Sequence, residues 1–170
     1  MRLDRAILRV TVETKPQFFD CDPMGVVWHG NYPRLMELGR VAMLEKIDYG
    51  YNAMSESGYA WPVVDMGIKY AQPIRFRQAI EIETALVEWE NRLKFNFEIR
   101  DRDTRRRLTR AHAVHVAADL KTEQMLWETP PILREKLGPF LWQLPPSLKY
   151  ERERLETFFK LLPRDRKSVV

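Results

Sequence analysis

Residues 20–50 read DCDPMGVVWHGNYPRLMELGRVAMLEKIDYG, a turn containing proline and glycine that runs into one long apolar segment. Tyr32-Pro33 is a typical helix start, because proline is tolerated in the first helical turn, and Asp48-Tyr49-Gly50 marks the end. The apolar positions between them spread over more than one stripe, which predicts a helix buried on most of its sides. Gly39 costs a helix about 1 kcal/mol relative to alanine, so we expect the sheet backbone to approach closely there.

Strand-like runs flank this helix in the sequence. Before it, residues 7–19 are rich in β-branched residues and alternate between apolar and polar. After it, and after a loop through Trp61-Pro62, come four more runs, at residues 63–71, 79–89, 93–101 and 108–120. Short polar connections between the later runs predict antiparallel pairing. One strand, one long helix and four strands predict an α+β fold in which a sheet wraps around the helix.

Composition limits the class of protein without deciding it. The chain has 170 residues, 45% of them hydrophobic, which is enough for one sizeable core but short for two domains. A net charge of +4 suits an anionic partner of unspecified kind, and 11% aromatic residues argue against disorder. Cys21 is the single cysteine, so no internal disulfide forms. Charged residues near the N-terminus and the absence of an apolar span predict a cytoplasmic protein without a membrane segment.

The C-terminal part has a different character. Five prolines punctuate residues 130–146, and residues 149–162 have the pattern of a charged helix with one apolar face. We therefore expect a main domain over residues 1–130 and a helical extension with a tail over residues 131–170. The apolar face is expected to dock on the body or on a partner subunit, with membrane or partner recruitment as the alternative.

The turn before the helix contains the residues best suited to chemistry. Asp20, Asp22 and His29 lie beside a helix N-terminus, where free N–H groups and the positive end of the helix dipole would stabilise an oxyanion. An aspartate before proline or glycine often simply holds a loop through hydrogen bonds to the backbone, and we expect this of Asp20.

The same segment resembles the active-site loop of the 4-hydroxybenzoyl-CoA thioesterase family of hotdog-fold enzymes. In that family a strand ends in an Asp-x-Asp turn, then come a glycine, two apolar residues, an aromatic residue or histidine, and an Asn-Tyr pair that opens the central helix. The order of strands and helix matches over roughly residues 7–120, although only the loop is specific. The resemblance implies a hotdog fold and an acyl-CoA thioesterase that hydrolyses an acyl- or aroyl-CoA thioester to the free acid and coenzyme A.

The resemblance also implies roles for individual residues. Asp22 is the catalytic carboxylate, acting as nucleophile or as general base. The backbone N–H at His29 or Gly30 polarises the thioester oxygen, and the His29 side chain is a candidate proton donor or Asp22 partner. The candidate substrate-binding residues are Trp28, Asn31 and Tyr32 at the helix entrance, and Arg75, Arg77, Arg92 and Lys94 for the phosphates of coenzyme A.

Other properties follow from the resemblance alone. It implies a homodimer or tetramer in which sheets pair edge to edge, with no metal or redox cofactor and with coenzyme A present only as part of the substrate. The partner is an acyl-CoA and, as a further candidate, an acyl carrier protein. The Asp-Cys-Asp-Pro and Val-Trp pairs resemble the aroyl-CoA branch, whereas His29 resembles the short-chain branch, so the acyl group stays open.

Rival interpretations rest on fewer residues. A hotdog protein that binds or transfers acyl groups without hydrolysis is the first. A nucleic-acid-binding module using residues 102–110 is the second, but acidic residues interrupt that basic run and it has no interleaved aromatic residue. A metal site at Cys21 and His29 lacks a second soft ligand, and His112 and His115 point to opposite faces of a strand. Glu37 is expected to pair with Arg40.

Overall fold

The computed structural model describes residues 6–126 and 129–133. The chain separates into two compact units, Met1–Lys136 and Leu137–Val170, and all described residues belong to the first. The expected C-terminal extension over residues 131–170, including its apolar face, lies almost wholly outside the described residues and stays a prediction. Within the described residues no helix is long and apolar enough to cross a membrane.

The architecture is α+β, as the order of the sequence patterns predicts. Its main sheet has five antiparallel strands in the order β1 (Leu8–Thr14), β4 (Ile80–Glu88), β5 (Leu93–Asp101), β6 (Arg107–His115) and β3 (Val63–Tyr70), so that β1 and β3 form its edges. A smaller sheet joins β2 (Tyr59–Ala60), β7 (Ala117–Asp119) and β8 (Met125–Leu126). Helices α1 (Tyr32–Lys46) and α2 (Tyr51–Glu56) lie between β1 and β2 in the chain.

The central helix α1 has the predicted start and end, but its burial differs from the prediction. Its buried positions form a single stripe: Tyr32, Leu35, Met36, Gly39, Arg40, Met43 and Leu44. Leu38 lies off this stripe and is 37% exposed. The prediction that most sides are buried is therefore wrong, because the sheet packs on one side of the helix through β1, β4 and β5.

Gly39 marks the closest approach of helix and sheet. A Cβ atom added there would collide with the Thr84 hydroxyl and lie 3.3 Å from the Ile82 Cγ2 atom, both on β4. Helix and sheet do approach closely at Gly39, but the prediction that the sheet backbone fills the space is wrong, because side chains of β4 fill it. A side chain at position 39 would push the helix away from β4.

The core lies between α1 and the inner face of the sheet. Along β5 the alternating residues Leu93, Phe95, Phe97 and Ile99 are each at most 2% exposed. Burial of each such side chain stabilises the fold by about 1.5–3 kcal/mol. On the other face of the sheet Glu98 forms ion pairs with Arg100 and Arg110. The predicted division of β5 into an apolar and a polar face is confirmed.

Two predicted strands end differently from their sequence pattern. The first stops at Thr14, and after Pro16, which has no N–H for a ladder, Phe18–Asp20 form a 3-10 turn. The last is interrupted at Val116, so that β6 belongs to the main sheet and β7 to the small one. The short elements α2 and β2 form where the sequence indicated only a loop. None of these differences changes the order of the five main strands.

Candidate active site

The loop between β1 and α1 folds back on itself around Asp22. The Asp22 N–H donates to the Val26 carbonyl at 2.8 Å, and the Gly25 N–H donates to the Asp22 carbonyl at 3.0 Å. Gly25 has a φ of 73°, a conformation that glycine adopts without strain. A bridge between Cys21 and Val27 continues the pairing. This pairing places Asp22 beside the strand-like segment that leads to the helix.

The Asp22 carboxylate uses only one of its oxygens in the fold. Its Oδ1 atom accepts hydrogen bonds from the Met24 N–H at 2.9 Å and the Val26 N–H at 3.4 Å. Its Oδ2 atom accepts none from residues 6–126 or 129–133. The side chain is half-buried. One oxygen therefore fixes the orientation of the carboxylate while the other is available for chemistry.

Asp20, two residues earlier, has a different environment. It is fully buried, its Oδ2 atom accepts from the Gln17 N–H at 2.7 Å, and its Oδ1 atom accepts from the Arg34 guanidinium, with an Nε distance of 2.7 Å. A second Arg34 nitrogen, Nη2, also contacts Oδ1. The structural role expected for Asp20 is confirmed, since it ties the 3-10 turn to helix α1.

The entrance of helix α1 presents free backbone donors. Residues His29–Asn31 form a 3-10 turn that leads into α1. The N–H groups of His29 and Gly30 donate no hydrogen bond within the described part of the chain. Both lie at the positive end of a 15-residue helix. The arrangement can bind a developing negative charge.

Aromatic side chains border this entrance. Trp28 is 48% exposed, and its ring packs against the His29 imidazole at an interplanar angle of 52°, with a centroid separation of 4.9 Å. A Cβ atom at Gly30 would collide with the Trp28 ring. Gly30 is therefore required for Trp28 to cover the backbone at this point. The structure records no hydrogen bond between the His29 imidazole and Asp22.

Asn31 and Tyr32 serve the fold as well as the site. The Asn31 Nδ2 atom donates to the carbonyl of Asp20 at 3.1 Å, which fastens the loop to the helix start. Tyr32 is only 3% exposed, and burial raises its pKa. Their predicted contacts with substrate stay predictions.

Tyr70, at the end of the edge strand β3, was missed as a site residue by the sequence reasoning. Its hydroxyl donates to the His29 carbonyl at 3.1 Å, and its ring packs edge-to-face on Tyr32 at 4.8 Å. In the sequence Tyr70 is only a residue near the end of the strand-like run at residues 63–71. The local sequence pattern does not predict its contact with His29, because the two residues are 41 positions apart.

The loop between β3 and β4 packs against the Asp22 loop. The Val27 N–H donates to the Ile74 carbonyl at 2.8 Å, and Val26 forms a bridge with Arg75. The Arg77 guanidinium lies 5.2 Å from the centre of the Phe76 ring. Two of the four predicted phosphate-binding residues, Arg75 and Arg77, are therefore on a loop that contacts the Asp22 loop.

Arg92 and Lys94 lie elsewhere in the chain. They follow the far end of β4, which starts at Ile80 next to the Arg75 loop and runs for nine residues, or ~26 Å. Arg92 pairs with Glu88 through two hydrogen bonds, of 2.7 and 3.1 Å. Within one chain the four predicted basic residues do not form a single cluster.

A second polar group lies on helix α1 around Glu37. Arg40 donates to Glu37 at 2.8 Å, and the Tyr51 hydroxyl also contacts this carboxylate. Burial raises the Glu37 pKa, but the hydrogen bonds from Arg40 and Tyr51 outweigh it and lower the pKa overall. The predicted pairing of Glu37 with Arg40 is confirmed. His115 is buried, its Nδ1 atom lies 3.0 Å from the Trp61 carbonyl, and burial lowers its pKa.

The other candidate metal ligands are dispersed. His112 lies on the outer face of β6, 2.9 Å from Asp65, whereas His115 lies in the core, as their spacing predicts. Burial, followed by the charges of Asp20 and Asp22, raises the pKa of Cys21. Among residues 6–126 and 129–133 no group of three His, Cys, Asp or Glu residues is placed to hold a metal ion.

Comparison with known proteins identifies the family. Residues 16–140 match the model of the thioesterase-like superfamily, and the chain belongs to this superfamily. It is 31% identical over 77 residues to the Bacillus subtilis protein named "Putative acyl-CoA thioesterase YneP", a match covering 45% of this chain and 56% of that protein. The chain thus matches little more than half the length of that relative.

Two further similarities extend over more of the chain. The Synechocystis protein named "Putative esterase sll0410" is 28% identical over 129 residues, which cover 75% of this chain and 76% of that protein. The structure of a 1,4-dihydroxy-2-naphthoyl-CoA thioesterase from Synechocystis superposes with a TM-score of 0.68 at 18% identity, covering 76% of this chain and 95% of that one. The predicted hotdog fold is confirmed, and so is the predicted relationship to the thioesterases as a family.

Proposed function

We propose that the protein hydrolyses an acyl- or aroyl-CoA thioester to the free acid and coenzyme A, with Asp22 as its catalytic carboxylate. The observation that carries the proposal is that one loop presents both a carboxylate oxygen and backbone N–H donors. Among the described residues, the Asp22 Oδ2 atom and the N–H groups of His29 and Gly30 at the nearby helix entrance have no hydrogen-bond partner. Hydrolysis of a thioester needs a group that attacks the carbonyl carbon or takes a proton from the attacking water. It also needs hydrogen-bond donors that stabilise the negative charge on the carbonyl oxygen.

Two routes use this geometry. In the first, the Asp22 Oδ2 atom attacks the carbonyl carbon, the carbon–sulfur bond breaks, coenzyme A leaves as the thiolate, and water hydrolyses the resulting mixed anhydride. In the second, Asp22 takes a proton from a water molecule that attacks the carbonyl directly. In both routes the N–H groups at the helix entrance stabilise the oxyanion. The His29 imidazole is a candidate donor of the proton that the departing thiolate takes up.

Recognition of coenzyme A is proposed to involve two subunits. Arg75 and Arg77 lie beside the catalytic loop, while Arg92 and Lys94 lie at the other end of the sheet. The edge strand β3 has one side available for pairing with a second copy, and antiparallel pairing would reverse the partner's direction. Arg92 and Lys94 of the partner subunit would then approach the catalytic loop. A homodimer, alone or within a tetramer, follows from this arrangement.

The proposed chemistry uses water, the thioester, the Asp22 carboxylate, the backbone N–H groups at the helix entrance and the His29 imidazole. Coenzyme A enters only as part of the substrate, and an acyl carrier protein is a second candidate carrier of the acyl group. A cytoplasmic location is proposed with this function, because a single cysteine, Cys21, provides no internal disulfide.

The test is thiol release from a panel of short, long and aromatic acyl-CoA thioesters and one carrier-bound thioester. Wild type is compared with Asp22→Asn, which keeps an oxygen for the Met24 and Val26 N–H groups but loses the negative charge. We expect turnover of at least one thioester and a loss of at least about 10²-fold in kcat for the variant. The matched control is Asp119→Asn, because Asp119 accepts comparable turn hydrogen bonds from Lys121 and Thr122 far along the chain.

Each outcome has a defined meaning. Activity that disappears in Asp22→Asn and persists in Asp119→Asn supports the proposal and identifies the acyl group. Retention of most activity in Asp22→Asn would contradict the role of Asp22. Tight binding of an acyl-CoA by the wild type without any thiol release would favour a non-hydrolytic acyl-binding protein instead.

A further inference from the structure

The peptide group between His29 and Gly30 is held on its carbonyl side by a residue that is distant in sequence. Its carbonyl oxygen accepts the hydrogen bond from the Tyr70 hydroxyl at 3.1 Å. Its N–H belongs to Gly30 and donates no hydrogen bond in the described part of the chain. Among the described residues no peptide bond is cis. In a planar trans peptide the C=O and N–H point in opposite directions, so any group that fixes the carbonyl also fixes the N–H.

From this geometry we propose that Tyr70 is a positioning residue for thioester hydrolysis, which sets the direction of the Gly30 N–H by holding the His29 carbonyl. The inference rests on the function proposed above and adds a residue to its oxyanion site. Tyr70 itself reaches the carbonyl side of the peptide, away from the N–H. It therefore acts through the peptide and not by touching the reacting atoms.

The position of the Tyr70 hydroxyl is itself determined by packing. The Tyr70 ring lies edge-to-face on Tyr32 with a centroid separation of 4.8 Å, and Tyr32 is buried in the core. Tyr70 is the last residue of β3 and pairs with Thr109 on β6. Both the backbone and the ring of Tyr70 are thus fixed by the sheet, although half of the side chain, 51%, is exposed. The sheet can in this way orient a peptide that lies in a loop.

The hydrogen bond also changes the strength of the donor. A donor at the carbonyl oxygen polarises the amide, so the N–H of the same peptide becomes a stronger donor by roughly 10–30%. Gly30 cannot gain orientation from a side chain, and Trp28 closes the space above it. Without Tyr70 the peptide has only the local 3-10 turn to hold it, and glycine permits a wide range of backbone rotation.

The test uses Tyr70→Phe, which removes one oxygen and keeps the ring packing on Tyr32. We expect kcat to fall about tenfold, less than the loss of a whole oxyanion donor, because the N–H is misdirected and not removed. The KM should stay within about twofold, since the interaction matters more in the transition state than in the ground state. The matched control is Tyr51→Phe, which also removes a hydrogen-bonded hydroxyl from a side chain that is 54% exposed, and should leave kcat unchanged.

A second measurement does not depend on turnover. In NMR spectra of Tyr70→Phe, the carbonyl carbon of His29 and the amide nitrogen of Gly30 should both shift upfield, because each loses polarisation; in Tyr51→Phe they should stay in place. Unchanged resonances, or a wild-type kcat in Tyr70→Phe, would overturn the inference. If no thioester is hydrolysed by the wild type while the Gly30 resonance still moves, the proposed function fails and the positioning contact stands.

Discussion

The active-site loop and the hairpin between β5 and β6 both turn around an aspartate, but they use its oxygens differently. In the hairpin, Asp101 Oδ1 accepts from the Thr104 N–H and hydroxyl, each at 2.8 Å, and Oδ2 accepts from Gln78 at 2.7 Å. These hydrogen bonds hold the pKa of Asp101 down to about 2. In the active-site loop, Asp22 uses Oδ1 for the turn and leaves Oδ2 free.

Asp20, in the same loop as Asp22, is the aspartate whose carboxylate oxygens are most fully engaged by the fold. Both of its oxygens are used, by Gln17 and Arg34, and water has no access to them. The three aspartates therefore form a series. Both oxygens accept hydrogen bonds in the buried Asp20 and in the half-buried Asp101, whereas in Asp22 one oxygen accepts them from the described residues. A carboxylate that stabilises the fold with both oxygens cannot also serve as nucleophile or base without disturbing the fold. This difference supports the role proposed for Asp22.

The largest effect on stability is expected for Asp20→Asn. An asparagine would turn an NH₂ group toward either the Gln17 N–H or the Arg34 guanidinium, which places donor against donor in a buried position. We expect the free energy of unfolding to fall by about 3 kcal/mol, the lower end for a broken buried ion pair because Arg34 is half-exposed. Urea denaturation checks this value. A loss below 1 kcal/mol would mean that the pair holds the loop far less than the geometry indicates.

A smaller, pH-dependent effect is expected for Asp101→Asn. The folded state lowers the Asp101 pKa from 3.8 to about 2, so its contribution is present above pH 3.8 and is lost as the pH falls toward 2. The variant should therefore be less stable than wild type at pH 6, and the difference should shrink steadily between pH 4 and pH 2. Thermal denaturation at a series of pH values measures it. A difference independent of pH would point to lost geometry and not to lost charge.

Much of the fold was predictable because its signals are local. The alternation along β5 and the proline at the start of α1 follow directly from residue type. The extent of helix burial was not predictable, because apolar residues such as Leu38 can also lie off the stripe that the sheet covers. The break at Val116 was hidden as well, since strands of two different sheets lie within one strand-like run, at residues 108–120, that contains no proline or glycine.

The site was predictable only where its residues are close in sequence. Asp22, His29 and Gly30 share one loop, and the resemblance to a thioesterase loop identified them together. The separation of Arg92 from Arg75 depends on the direction of β4, and the role of Tyr70 depends on the pairing of β3 with β6. Such contacts are decided by the register of strands across the whole sheet.

The smallest effect on stability is expected for Asp22→Asn, even though its effect on turnover is the largest. Asparagine keeps an oxygen for the Met24 and Val26 N–H groups, and its NH₂ group takes the place of the free Oδ2 in a half-exposed position. We expect the free energy of unfolding to stay within about 0.5 kcal/mol of wild type. Urea denaturation beside Asp20→Asn measures both ends of the series under one condition. A large destabilisation by Asp22→Asn would show that Oδ2 also supports the fold, and the loss of turnover could then no longer be attributed to chemistry alone.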